Sequence, residues 1–142
     1  MEQKLNHLLA NLAVEAHKLQ HFHWYVKGRG FFTLHAKLEE YYDFISEAVD
    51  AVAENILMLG GQPLSTMKEL LAASDIPEPS PGFAEPEAMM PVLIEDYEAL
   101  LAQAREIKKA ADEESFYSIS ALMDDYIAEF YKTLWMMKQW SA

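Results

Sequence analysis

A chain of 142 residues, 51% of them hydrophobic, can bury one core of ordinary size; with no cysteine it has neither a disulfide framework nor a thiolate metal site. Its formal charge of -12 disfavours unspecific attraction to nucleic acid or anionic lipid and suits cations better. No apolar run is long enough to span a membrane and the N-terminus has no secretory pattern, so a cytoplasmic location is the default expectation.

The first predicted helix runs from Gln3 to Val26. Leu5, Leu8, Leu9, Leu12, Ala16, Leu19, Phe22 and Val26 make its apolar stripe. His17 and His21 are four apart on it, but two ligands alone make a weak site, and they read as surface or interface histidines. Gly28-Arg29-Gly30 breaks the helix, because glycine costs helix propensity and tolerates positive φ.

A second helix is predicted from Phe31 to Leu59, stopped by Gly60-Gly61. Phe31, Leu34, Leu38, Tyr41, Ile45, Ala48, Val49, Val52, Ile56 and Leu59 keep helical spacing. Tyr41, Tyr42, Phe44 and Ile45 widen the apolar coverage, so this helix is expected to have neighbours on two sides. Pro63 is expected to open a short helix from Leu64 to Ala73, with Ser65 or Thr66 as a possible cap. Ser74 to Pro86 is a proline-rich connector. A third long helix is predicted from Glu87 to Ala110, with Pro91 in its first turn, then a break at Asp112 to Ser115. The fourth runs from Glu114 to Gln139. The fold class is therefore all-α: a four-helix bundle with a short extra helix between helices two and three, whose long link leaves room for a crossover.

Residues with ligand chemistry cluster on the second helix. His35 and Glu39 are four apart, as are Asp50 and Glu54. At about 100° per residue, Asp50 returns to within roughly 20° of the direction of Glu39, so the four share one stripe. At about 1.5 Å per residue, His35 and Asp50 still lie roughly 22 Å apart along the axis, so one copy cannot bring both pairs to one ion. Two antiparallel copies, crossing near Phe44 and Ile45 on a two-fold axis, can. His35 and Glu39 of one then face Asp50 and Glu54 of the other, and symmetry makes two such sites. His23 lies five residues before Gly28 and His35 five after Gly30, so His23 stands at the height of His35 and can complete each site. Imidazole and carboxylate together suit Fe, Zn, Mn or Co. The alternative is a helical oligomer in which these groups merely satisfy an interface. An ordinary di-iron bundle fits less well, since it needs Glu-x-x-His motifs and none occurs.

The segments FHWYVKGRGFFTLH, KLEEYYDF, DAVAENILMLGG and QPLSTMKE together resemble the Dps family of ferritin-like mini-ferritins, and the resemblance extends over the whole chain. It implies one ferritin-like domain over residues 1–142 and a homo-dodecameric shell of tetrahedral symmetry. It implies a ferroxidase that oxidises Fe(II), preferably with hydrogen peroxide, and stores the ferric product. The family's intersubunit ligands fall on His23, His35, Glu39, Asp50 and Glu54, and its tryptophan beside the iron falls on Trp24, a candidate electron or radical acceptor. Zn(II) is expected to compete for the same ligands. Glu40 matches an acidic mineral-nucleating position, while Asp124 and Asp125 are candidates for the neighbourhood of an iron pore. Some members bind DNA through a lysine-rich extension before the first helix. Here Lys4 is nearly the only base at that end, so DNA binding is not expected.

Overall fold

The computed structural model describes residues 1–142 as five helices: α1 (Glu2–Tyr25), α2 (Phe31–Met58), α3 (Met67–Ala73), α4 (Pro86–Glu113) and α5 (Tyr117–Trp140). The all-α expectation holds, and α1 and α2 fall within a residue of their predicted bounds. No helix is long and apolar enough to cross a membrane.

Gly28 and Gly30 both adopt positive φ, at 103° and 83°, which turns the chain back sharply between α1 and α2. Helix α2 ends in a Schellman motif: Gly60 takes φ 85°, Gly60 N–H donates to the Leu57 carbonyl, and Gly61 N–H to the Ile56 carbonyl.

The short helix starts later than expected. The Gln62 and Leu64 N–H groups donate to the side chains of Glu2 and Asn6, and Asn6 Nδ2 donates to the Gln62 carbonyl. These ties to the start of α1 leave the backbone around Pro63 no helical partners. Helix α3 begins instead behind Thr66, whose hydroxyl accepts from Glu69 N–H while the Glu69 carboxylate accepts from Thr66 N–H. Pro63 is therefore not a helix opener here.

Pro86 takes the first position of α4, and Pro91 lies more than a turn in rather than in the first turn. Its missing N–H leaves the carbonyl of Glu87, an exposed residue, to water. Helix α4 runs three residues past Ala110 and closes with Ser115 at φ 63°, Phe116 N–H reaching back to the Ala111 carbonyl. That left-handed serine delays α5 to Tyr117 instead of Glu114.

The connector walks the length of α1. Gln62 is held at Asn6, Asp75 N–H donates to Asn11 Oδ1, and the Pro77 carbonyl accepts from Lys18 Nζ. Ala84 then bonds with Tyr25 and Lys27 at the far end. Asn11 meets Gln103 and Lys18 meets Asp96, so α4 runs antiparallel to α1 and hence parallel to α2. Lys108 meets Asp124 and Lys138 meets Glu98, so α5 runs antiparallel to α4. The long link thus crosses the bundle, as its length allowed. The core between these helices is aliphatic and aromatic, with Leu5, Leu12, Leu38, Ile45, Leu100, Met123 and Phe130 fully enclosed.

Candidate metal centre

His23 and His35 meet across the glycine turn. Their rings stack with centroids 3.8 Å apart and planes 14° from parallel. Each ring is tied to the backbone of the other residue: His23 Nδ1 lies 2.6 Å from the His35 carbonyl oxygen, and His35 Nδ1 lies 2.8 Å from the His23 carbonyl oxygen. The second of these acceptors is free because α1 ends there. Lys27 N–H, which would have bonded to it in a longer helix, donates to Ala84.

A carbonyl can only accept, so both Nδ1 atoms carry hydrogen. In the neutral rings the lone pair is then on Nε2, and both Nε2 atoms remain for a ligand. This is the tautomer and the backbone anchoring that a metal-binding histidine needs. Phe31 stacks on His35 at 5.1 Å, and the edge of Tyr42 meets His23 at 5.5 Å, so the rings are clamped. His23 is only 8% exposed.

Glu39 stands one turn beyond His35, exposed, and accepts a hydrogen bond from Tyr42 Oη at 3.3 Å. Burial, then the charge of Glu39, raises the Tyr42 phenol pKa and keeps it a donor. Asp50 and Glu54 lie farther along α2, both exposed. A hydrogen bond with Asp50, followed by the charge of Asp50, raises the Glu54 pKa. That is the signature of two carboxylates crowded together without a cation.

The structure therefore brings His23 and His35 together, leaves Glu39 one turn along α2 on Tyr42, and sets Asp50 and Glu54 farther along the same helix. No three histidine, aspartate or glutamate side chains gather around one point within the chain. Trp24 follows His23 on α1, is 56% exposed, and touches His17 edge-on at 6.2 Å. Of the remaining candidates, Glu40 pairs with Lys37 at 2.8 Å and Asp124 pairs with Lys108 at 2.8 Å.

A model of the ferritin-like domain matches residues 2–141. DNA protection during starvation protein 2 of Bacillus anthracis is 39% identical over 134 residues, which cover 94% of this chain and 91% of that one. The chain belongs to the Dps family of ferritin-like proteins. The crystal structure of the Vibrio cholerae Dps superposes with a TM-score of 0.95 at 36% identity, covering 99% of this chain and 88% of the other. That protein is described as a member of a broad superfamily of ferritin-like diiron-carboxylate proteins. A Dps of Listeria innocua, soaked with zinc, superposes at 0.93 with 32% identity, covering 98% and 94% of the two chains.

One group of buried charges escaped the reading of the sequence. Glu15, Lys18 and Asp96 are enclosed between α1 and α4. The signal was present: Glu15 lies three after Leu12 and four before Leu19, and Asp96 lies three after Leu93 and four before Leu100, so both interrupt apolar stripes.

Proposed function

We propose that this Dps is a ferroxidase and iron-storage protein whose metal site is shared between two subunits. His23, His35 and Glu39 of one chain bind Fe(II) together with Asp50 and Glu54 of a two-fold partner. The observation that carries the reading is the reciprocal anchoring of the two histidines, which leaves both Nε2 lone pairs unused while no third ligand gathers with them within the chain. The crowded Asp50–Glu54 pair supplies the charge that a cation would neutralise. Large exposed side chains, among them Trp24, Phe32, Met58 and Trp135, favour assembly, and the family's form is a homo-dodecameric cage.

Iron is the substrate here. Carboxylate oxygens favour the ferric over the ferrous ion, so these ligands lower the cost of oxidation. Hydrogen peroxide, the preferred oxidant, takes one electron from each of two ferrous ions and, with two protons, becomes water. Paired consumption releases no hydroxyl radical. Trp24, which follows His23 in the chain, accepts a stray electron hole on this reading. Zn(II) suits the same donors and acts as a competitor; a relative has been soaked with that metal. Relatives are named for DNA protection during starvation. With a charge of -12, this chain protects by removing iron and peroxide in the cytoplasm rather than by coating DNA.

An anaerobic Fe(II) titration, followed by separate additions of peroxide and oxygen, tests the reading. Saturable binding and faster oxidation by peroxide are expected, with both lost in His23→Ala. Oxidation at the rate of free iron, or full activity in a protein held monomeric, ends it. A gel shift at modest salt is expected to show no DNA retardation.

A further inference from the structure

The centre of the bundle holds a second set of carboxylates, unrelated to the subunit seam. Glu15 on α1 is 0% exposed, and both its carboxylate oxygens lack any donor. Asp96 on α4 is 5% exposed, and its Oδ2 is likewise without a hydrogen bond, although Lys18 Nζ lies 2.8 Å away. Lys18, 1% exposed, directs its hydrogen bond to the Pro77 carbonyl at 2.7 Å. Tyr41 of α2, Tyr97 of α4 and Glu129 of α5 complete the surroundings.

Two ionised carboxylates and one ammonium would leave an uncompensated negative charge in an enclosed site, which burial strongly disfavours. One proton removes the difficulty. With Glu15 un-ionised, its hydroxyl donates to Asp96, so that one of the two Glu15 oxygens and the open Asp96 oxygen satisfy each other, and the remaining charges of Asp96 and Lys18 cancel. Burial first, then the charge of Asp96, pushes the Glu15 pKa well above its ordinary value, while Lys18 opposes the rise. In ferritin-like di-iron bundles, carboxylates from facing helices hold metal in the bundle core. We propose that the bundle centre of this chain is a cation site filled by its own Lys18 ammonium, with one proton held between Glu15 and Asp96. So occupied, the interior takes no metal. Removing the ammonium opens an all-oxygen site, built from Glu15, Asp96 and the Pro77 carbonyl, for a hard divalent ion such as Mn(II).

Two measurements on the assembled protein test this. Infrared spectra at neutral pH should show the carbonyl stretch of an un-ionised carboxylic acid, shifted by carbon-13 glutamate and absent from Glu15→Gln. Should Glu15→Gln not fold, Glu15→Asp should transfer the band from the glutamate label to an aspartate label. No such band, or a band indifferent to both variants, overturns the proposal. The second measurement uses Mn(II) with spin-resonance detection, in chains that also carry His23→Ala and Asp50→Ala to silence the seam. Adding Lys18→Ala, or Lys18→Ser if that folds better, should bind one further Mn(II) per chain, lost again with Glu15→Gln. A folded Lys18 variant with no further Mn(II) also overturns it. The infrared result stands whichever Lys18 variant folds, and failure of either measurement leaves the seam reading untouched.

Discussion

Carboxylates occur in this chain in two opposite settings. In the bundle centre, Glu15 and Asp96 are enclosed, and the ammonium paired with Asp96 comes from the same chain. On α2, Glu39, Asp50 and Glu54 are exposed, and at the helix start His23 and His35 keep Nε2 atoms that their anchored Nδ1 atoms leave unused. The first set is finished when the chain folds. The second is finished, on the reading proposed here, only when a partner arrives. A charge whose partner is internal holds the fold together, whereas one whose partner is external awaits a ligand.

Stability separates the two sets most widely. Asp96→Ala breaks the buried Lys18–Asp96 pair and obliges the enclosed Glu15 carboxyl to ionise in its place, and a loss of up to about 3–5 kcal/mol is expected in denaturant unfolding. Asp50→Ala removes an exposed carboxylate and should leave the unfolding midpoint nearly unchanged. Equal losses in both would erase the distinction.

Activity should invert the order. His23→Ala is expected to slow peroxide-driven Fe(II) oxidation at least about 10–100-fold, the cost seen when a metal site loses even a supporting group. The absorbance of the ferric product reads it. Mixing sharpens the test. If His23→Ala and Asp50→Ala chains are refolded together, half of random dimers are mixed, and each mixed dimer keeps one intact seam site of two. About a quarter of wild-type sites should return. Ligands drawn from a single chain would restore nothing.

The proton in the core gives a pH dependence with a definite sign. A carboxyl whose folded pKa is raised adds stability that is full below its ordinary value and is lost as pH climbs through the folded value. Glu15 should therefore make the wild type lose stability as pH rises above about 4.5, the ordinary glutamate value. Glu15→Gln keeps a donor toward Asp96 at every pH and should flatten that decline. Parallel melting curves for the two proteins across this range would contradict it.

Much of this was legible in the sequence because it depends on neighbours along the chain. The glycine turn, equidistant from His23 and His35, predicted their meeting from spacing alone. The pairs on α2 followed from helical repeat. The start of α3 did not follow, although Thr66 and Glu69 have capping-box spacing. Pro63 offered a rival start, and only Glu2 and Asn6, some sixty residues upstream, take the N–H groups that decide between them. The core cluster failed for a related reason. Charges in an apolar stripe can be seen at Glu15 and Asp96, but which stripe faces which depends on the crossover that turns α4 antiparallel to α1.

The smallest expected effect probes the strap between the two regions. Helix α3 has seven residues and a single buried side chain, Leu70, so its capping box carries much of its local order. Thr66→Ala should cost about 1 kcal/mol there, which is about fivefold faster amide exchange in α3. The core lies beyond the next segment, where Lys18 grips the Pro77 carbonyl, and global unfolding should barely move. Iron oxidation should hold as well, because no proposed ligand lies on α3. If oxidation slows along with α3 exchange, the strap supports the partner contact, and the seam reaches farther round the subunit than the α2 stripe.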